Sequence, residues 1–174
     1  MIHLRTCESA KWLTEIVRPL RHNAPMNQAA LRRQRWSISD QPHFVTVVTR
    51  RRTPLFLEFD TARRVVDEMR RIHEQRTVIS LAWVLMPDHL HWLFVLRERT
   101  GLDVVIHDFK SRSASTVSRI SGRNRSIWQS GYQDRAIRRD EELQRVGRYI
   151  VGDPVRARLV DRLGDYPHWD AVWL

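Results

Sequence analysis

Residues 78 to 96 read VISLAWVLMPDHLHWLFVL. Two apolar runs rich in Val, Ile, Leu, Phe and Trp flank Met86-Pro87-Asp88, and Pro and Asp are turn formers. The segment therefore predicts an antiparallel hairpin, with one strand over 78–85 and the next over 89–96. Side chains alternate along a strand. Leu90, Trp92, Phe94 and Leu96 then share a face suited to burial, while His89 and His91 project from the other, about 7 Å apart.

Working outward, Phe44-Val-Thr-Val-Val-Thr49 is β-branched and predicts a strand, followed by the basic turn Arg50-Arg51-Arg52. Asp60 can cap a helix running to about Arg76, with Val65, Val66, Met69 and Ile72 on its inner face. Downstream, Leu102 to about Ile120 predicts a helix stopped by Ser121-Gly122, and Ser126 to Trp128 predicts a short fourth strand. Asp140 opens a last helix, with Glu141 and Glu142 suited to its positive end. That helix should stop near Asp153, because Pro154 disfavours α geometry in the residue before it. The order strand, helix, strand, strand, helix, strand is a ferredoxin-like α+β core with an antiparallel sheet, followed by a C-terminal helix. Helices are expected on one face of the sheet, leaving the other available to a ligand.

Composition narrows the class. The 174 residues suit one domain with a tail, and 42% hydrophobic against 29% charged residues supports a sizeable core. Residues 1–35 read as an N-terminal extension and 36–174 as the functional domain. Leu13, Ile16, Val17 and Leu20 fall at helical spacing within that extension, and Met26 offers an alternative translation start. No apolar run reaches the ~18–20 residues of a membrane helix, the N-terminus lacks a signal-peptide core, and the single cysteine, Cys7, excludes an intramolecular disulfide framework. A cytoplasmic protein is expected. Thirty basic against twenty acidic residues give a net charge of +10, which attracts polyanions. Only Lys11 and Lys110 of the thirty are lysine; arginine forks bind phosphate bidentately and stack on bases, although a GC-rich genome also favours arginine.

Two pieces could do chemistry together. The imidazoles of His89 and His91 can meet on one divalent ion. A histidine-triad hydrolase would need a third histidine where Leu93 stands. In the last helix, Tyr149 and Asp153 are four residues apart and share a face. Tyr149 is either a core aromatic or a reactive phenol beside a hard oxygen ligand; Arg145, Arg148, Arg156 and Arg158 make its surroundings cationic. Two histidines and Asp153 on a divalent ion would polarise a non-bridging oxygen of a phosphodiester. A tyrosine nucleophile would keep the bond energy in a phosphotyrosine, so strands could be rejoined without ATP.

Trp83-Val-Leu-Met-Pro-Asp-His-Leu-His-Trp92 resembles the signature of single-tyrosine HUH transposases, in which U is a hydrophobic residue. FVTVVTRRRTPLF over 44–56, WQSGYQDRAIR over 128–138, RYIVGDPVRA over 148–157 and the tail Asp165-Tyr-Pro narrow the likeness to the REP-associated tyrosine transposases, over about residues 36 to 170. The resemblance implies a ferredoxin-like fold and cleavage of single-stranded DNA with Mg2+ or Mn2+, at repetitive extragenic palindromes that form hairpins. By the same likeness His89 and His91 are metal ligands, and Tyr149 is the nucleophile that takes the 5′ phosphate and leaves a 3′ hydroxyl. The family position four residues after the tyrosine is usually Asn; here it is Asp153, whose anionic oxygen suits a hard cation. A monomer is favoured over the tyrosine-helix-exchanging dimer of mobile relatives.

Arg50, Arg51, Arg52, Lys110, Arg112, Arg135 and Arg138 are then candidates for hairpin phosphates, Gln129 lies in the same motif, and Trp128 or Tyr132 could stack on an unpaired base. Two rival readings remain at this stage. Two histidines and a carboxylate also resemble the facial triad of non-haem iron enzymes, and a catalytically silent hairpin-binding regulator would carry the same charge.

Overall fold

The computed structural model describes residues 41–97, 100–121, 126–137 and 140–174. The anticipated N-terminal helix, Met26, the boundary at residue 35 and Arg138 lie outside the described residues. The elements in chain order are β1 (Pro42–Val48), α1 (Phe59–Glu74), β2 (Val78–Met86), β3 (His89–Leu96), α2 (Leu102–Ser121), β4 (Gln133–Ala136), α3 (Asp140–Val151), the short α4 (Asp153–Arg156) and β5 (Trp169–Ala171). The five strands form one sheet in the order β4-β1-β3-β2-β5 with every neighbouring pair antiparallel. The fold is thus the expected α+β class, and the hairpin read from 78–96 is β2–β3, with Met86 opposite His89 across the two-residue turn.

Alternation along β3 sorts two cores. Leu90, Trp92, Phe94 and Leu96 join Val45 and Val47 of β1 beneath Val65, Met69 and Ile72 of α1 and Val105, Ile106 and Phe109 of α2. Each of the larger side chains contributes about 1.5–3 kcal/mol by leaving water. The buried Trp92 indole N–H donates to Ser80 Oγ at 3.0 Å, so no polar group is stranded there.

Beyond the other face the expectation of an open surface fails. Leu143, Val146, Ile150 and Val151 of α3 pack on Leu81, Val84, Met86, Leu93 and Val95, with Leu163, Tyr166, Trp169 and Trp173 closing the flank. The apolar stripe of α3 needs a surface, and this face is the one α1 and α2 leave uncovered. Gly147 makes the approach possible: a Cβ there would stand 2.9 Å from the Trp173 ring and 3.5 Å from Ala82 Cβ. The end of this face that carries His89 and His91 stays partly open.

Three local expectations are also corrected. The fourth strand is β4, not 126–128; Trp128 makes a single bridge to Thr49 and drops its ring into the first core. Gln133-Asp-Arg-Ala136 is exposed throughout, so it lacks the apolar alternation that marks a strand, as short charged edges do. Helix α1 starts at Phe59 after Glu58 with no side-chain cap and ends at Glu74, placing Asp60 in its first turn rather than at its cap. Finally, α3 stops at Val151, near the expected end, but Asp153 does not share that helix with Tyr149: after Gly152 it opens the separate turn α4, with Pro154 in its first residues, where a missing N–H costs nothing. Among the described residues no helix is long and apolar enough to cross a membrane.

Candidate metal and nucleophile site

Strand register places the imidazoles. His89 lies opposite Val48 and Met86, and His91 opposite Thr46 and Val84, on the face that α3 covers. Because Thr46 sits directly across from His91, its Oγ1 and His91 Nδ1 hydrogen-bond at 2.8 Å. His89 Nδ1 donates to Asp88 Oδ1 at 2.6 Å, and Asp88 Oδ2 in turn accepts from Arg52 Nη1 at 3.0 Å. Both rings are held through Nδ1, which leaves both Nε2 atoms turned to a common point. At that point stands Asp153, the first residue of α4: Oδ2 lies 3.5 Å from His89 Nε2 and 3.7 Å from His91 Nε2.

One ligand atom from each of His89, His91 and Asp153 lies within 4.8 Å of the others. Two imidazole nitrogens and one carboxylate oxygen, with the far ring nitrogens fixed by a carboxylate and a hydroxyl, form a donor set that fits a divalent cation. The side chains are 16%, 17% and 20% exposed, so water and a substrate can reach them. Electrostatics separates the two rings. Burial pushes His91 down to about 4, helped by the neighbouring His89 charge, so it is a neutral donor at physiological pH. Burial works the same way on His89, but Asp153 and Asp88 outweigh it and raise that imidazole above its ordinary value. The nearby His89, then His91 and Arg156, hold the Asp153 carboxyl below the usual carboxylate range.

Tyr149 is not a core aromatic. It lies off the stripe of Leu143, Val146 and Ile150, is 58% exposed, and has the Arg156 guanidinium 4.0 Å from its ring centroid. Its helix covers the face onto which the imidazoles project, and Arg156 joins it to Asp153.

The polar candidates divide. Arg50, Arg51 and Arg52 form an exposed 3-10 turn with left-handed backbone at Arg51 and Arg52, and Arg52 reaches the site through Asp88. Arg135 pairs with Phe44 in the register, and Phe44 contacts His91, so Arg135 belongs to the imidazole face at the sheet edge. Arg112 is exposed and pairs with Asp108 at 2.8 Å. Lys110 gives its ammonium to the carbonyls of Gln129, Ser130 and Gly131, and burial lowers its pKa. Gln129 bonds the Thr49 carbonyl, and the Tyr132 hydroxyl donates to Asp103. Trp128 is corrected outright: it is 2% exposed, with its N–H donating to Ser113 Oγ, and has no face to offer a base.

Sequence reasoning gave Asp88 only a turn role, passed over Thr46, and read Arg156 only as one of the cations around Tyr149. Each had a signal: Asp88 adjoins His89, Thr46 is a polar break in an apolar strand on the register of His91, and Arg156 lies one helical turn beyond Asp153.

Residues 38–153 match the family model of transposases described as IS200 like. The REP-associated tyrosine transposase of Escherichia coli (strain K12) is 28% identical over 138 residues, covering 77% of this chain and 78% of that protein. A solved structure of a REP-associated tyrosine transposase bound to a REP hairpin matches with a TM-score of 0.65 at 23% identity, covering 78% of this chain and 79% of the other. The fold and the family anticipated from the motifs are borne out.

Proposed function

The chain belongs to the IS200-like transposase family, and from that premise we propose that it cuts and rejoins single-stranded DNA at hairpin-forming sites, with Tyr149 as the nucleophile. The observation that carries the reading is the convergence of His89, His91 and Asp153 beside the helix that bears an exposed tyrosine.

Tyr149 Oη attacks the phosphorus of the scissile linkage and loses its proton. The bond to the 3′ oxygen breaks, that oxygen takes up a proton as a free hydroxyl, and the 5′ phosphate stays on the tyrosine as a diester. A 3′ hydroxyl attacking the phosphotyrosine reverses the step and restores the phenol. At His89, His91 and Asp153 the chemistry supplied by bound Mg2+ or Mn2+ is Lewis-acid polarisation of a non-bridging phosphate oxygen. Asp88 and Thr46 keep the two rings in the tautomer and orientation that present Nε2. The Arg50–Arg52 turn and Arg135 flank the site and hold the DNA backbone on either side of it. Arg112, Gln129 and Tyr132 extend the contact surface, and Lys110 shapes it by fixing the loop at 129–131.

A hairpin DNA partner rests on this basic surface and on the relative solved with a REP hairpin. Residues 36–174 make up the catalytic unit in this reading, acting as a monomer, with 1–35 as an extension. Incubation of a labelled hairpin oligonucleotide with the protein and Mn2+, read on a denaturing gel, tests the proposal. Nicking with a covalent adduct that vanishes in Tyr149→Phe is expected. Hairpin binding without an adduct would instead make the chain a silent DNA-binding module, and iron-dependent oxygen uptake without cleavage would make it a facial-triad enzyme.

A further inference from the structure

Arg156 makes three contacts that together span the site. Its Nη2 donates to Asp153 Oδ1 at 2.7 Å, its Nη1 donates to the Tyr149 carbonyl at 2.5 Å, and its guanidinium lies 4.0 Å from the Tyr149 ring centroid. The Asp153 carboxylate is thereby divided: Oδ1 faces arginine and Oδ2 faces the two imidazoles. A planar fork is suited to this in a way that a point charge is not, since stacking and two directed bonds use the same rigid group. The backbone leaves room for it. A Cβ on Gly152 would stand 3.0 Å from Arg156 Nη1 and 3.1 Å from the Arg148 carbonyl, so a glycine at the break between α3 and α4 keeps the guanidinium close to the main chain.

We propose that Arg156 is a positioning residue that clamps Tyr149 to Asp153, so that the nucleophile and the carboxylate ligand move as one unit. The inference rests on the strand-transfer reading above and names a device within it. Tyr149 is exposed on its helix, so a stacked guanidinium restrains its ring where the apolar core does not. A nucleophile displaced by about 1 Å can lose roughly a hundredfold in rate. The clamp also has an electrostatic cost. A guanidinium bonded to the ligand carboxylate repels any cation arriving at Oδ2, so the arginine restrains Tyr149 at some expense of metal affinity.

That opposition makes the proposal testable apart from folding. The full chain and its Arg156→Ala and Arg156→Lys variants are compared in Mn2+ affinity by calorimetry, anisotropy of a labelled hairpin oligonucleotide, melting temperature and rate of covalent adduct formation. Arg156→Ala is expected to bind Mn2+ at least as tightly as the parent and to hold the oligonucleotide with little change. Its adduct formation should be at least about tenfold slower. Arg156→Lys, which keeps a charge beside Asp153 but lacks the fork, should fall between the two. An adduct rate equal to the parent's in both variants overturns the clamp, as does Mn2+ affinity falling together with rate and melting temperature. A parent protein that neither binds Mn2+ nor forms an adduct overturns the strand-transfer reading and the clamp with it, which keeps the two failures distinct.

Discussion

On the α1/α2 side of the sheet, Leu90, Trp92, Phe94 and Leu96 of β3 are fully out of water, whereas on the α3 side the same strand begins with His89 and His91, which keep 16% and 17% of their side chains exposed. One strand with a period of two residues feeds both surfaces. The difference lies in what closes over them. Two helices seal the first face along its length, while on the second α3 packs over Leu81, Val84, Met86, Leu93 and Val95 and then breaks at Gly152, so that Asp153 meets the two imidazoles, which stay partly exposed. On the proposed function, structural and chemical duties are separated by the thickness of the sheet, and substitutions on the two faces should have separable consequences.

The largest effect should fall on the open side. Tyr149→Phe is expected to abolish the covalent adduct while leaving the melting temperature unchanged, because the hydroxyl lies on an exposed ring; a lowered melting temperature would show that the tyrosine carries structure. Next comes the sealed side. Trp92→Ala removes a fully buried indole and should cost about 3–5 kcal/mol in a urea titration. A cost near zero would mean that the first core is not closed as described.

Much of this division was legible in the sequence. Alternation from His89 to Leu96 predicted which residues share each face, whereas the placing of Tyr149 and Asp153 on one helix did not hold, since α3 ends at Val151 and Asp153 opens α4. What escaped reading has physical reasons. Strand β4 is four exposed residues, three of them polar, at a sheet edge, and β5 is three residues long, so neither shows a hydrophobic period. Burial of Trp128 depends on a partner fifteen positions away, Ser113, and no local pattern announces it. The covering of the second face follows from where α3 docks, which depends on Gly147 and Trp173 meeting across the chain. Arg156 was legible as one of four cations around Tyr149, but its three contacts were not, because they arise from the break after α3.

A smaller perturbation sharpens the comparison within the open site. Asp153→Asn retains an oxygen ligand and loses its charge, so adduct formation should persist in part with weaker Mn2+ binding. Complete inactivity would show that the carboxylate does more than occupy a ligand position. The mildest effect is acid sensitivity of the metal-free protein. Burial holds His43, His73 and His168 below the ordinary imidazole value of 6.5, and His91 further down at about 4. The unfolded chain takes up protons at these four as pH falls below 6.5 while the folded chain does not, so stability should decline from there toward pH 4. His89, raised by Asp153 and Asp88, opposes the trend: its contribution is complete below 6.5 and fades as pH rises through its folded value. Urea midpoints measured across this range should therefore fall on the acid side; a rise would mean that these histidines are not buried neutral.

The most direct test of the account is mass spectrometry of the protein after reaction with a hairpin oligonucleotide and Mn2+, with the attached nucleotide mapped to one peptide. The account predicts a 5′-phosphodiester on Tyr149, absent when His89 and His91 are replaced by alanine. Attachment to another residue, or strand cleavage that persists in Tyr149→Phe, would contradict it.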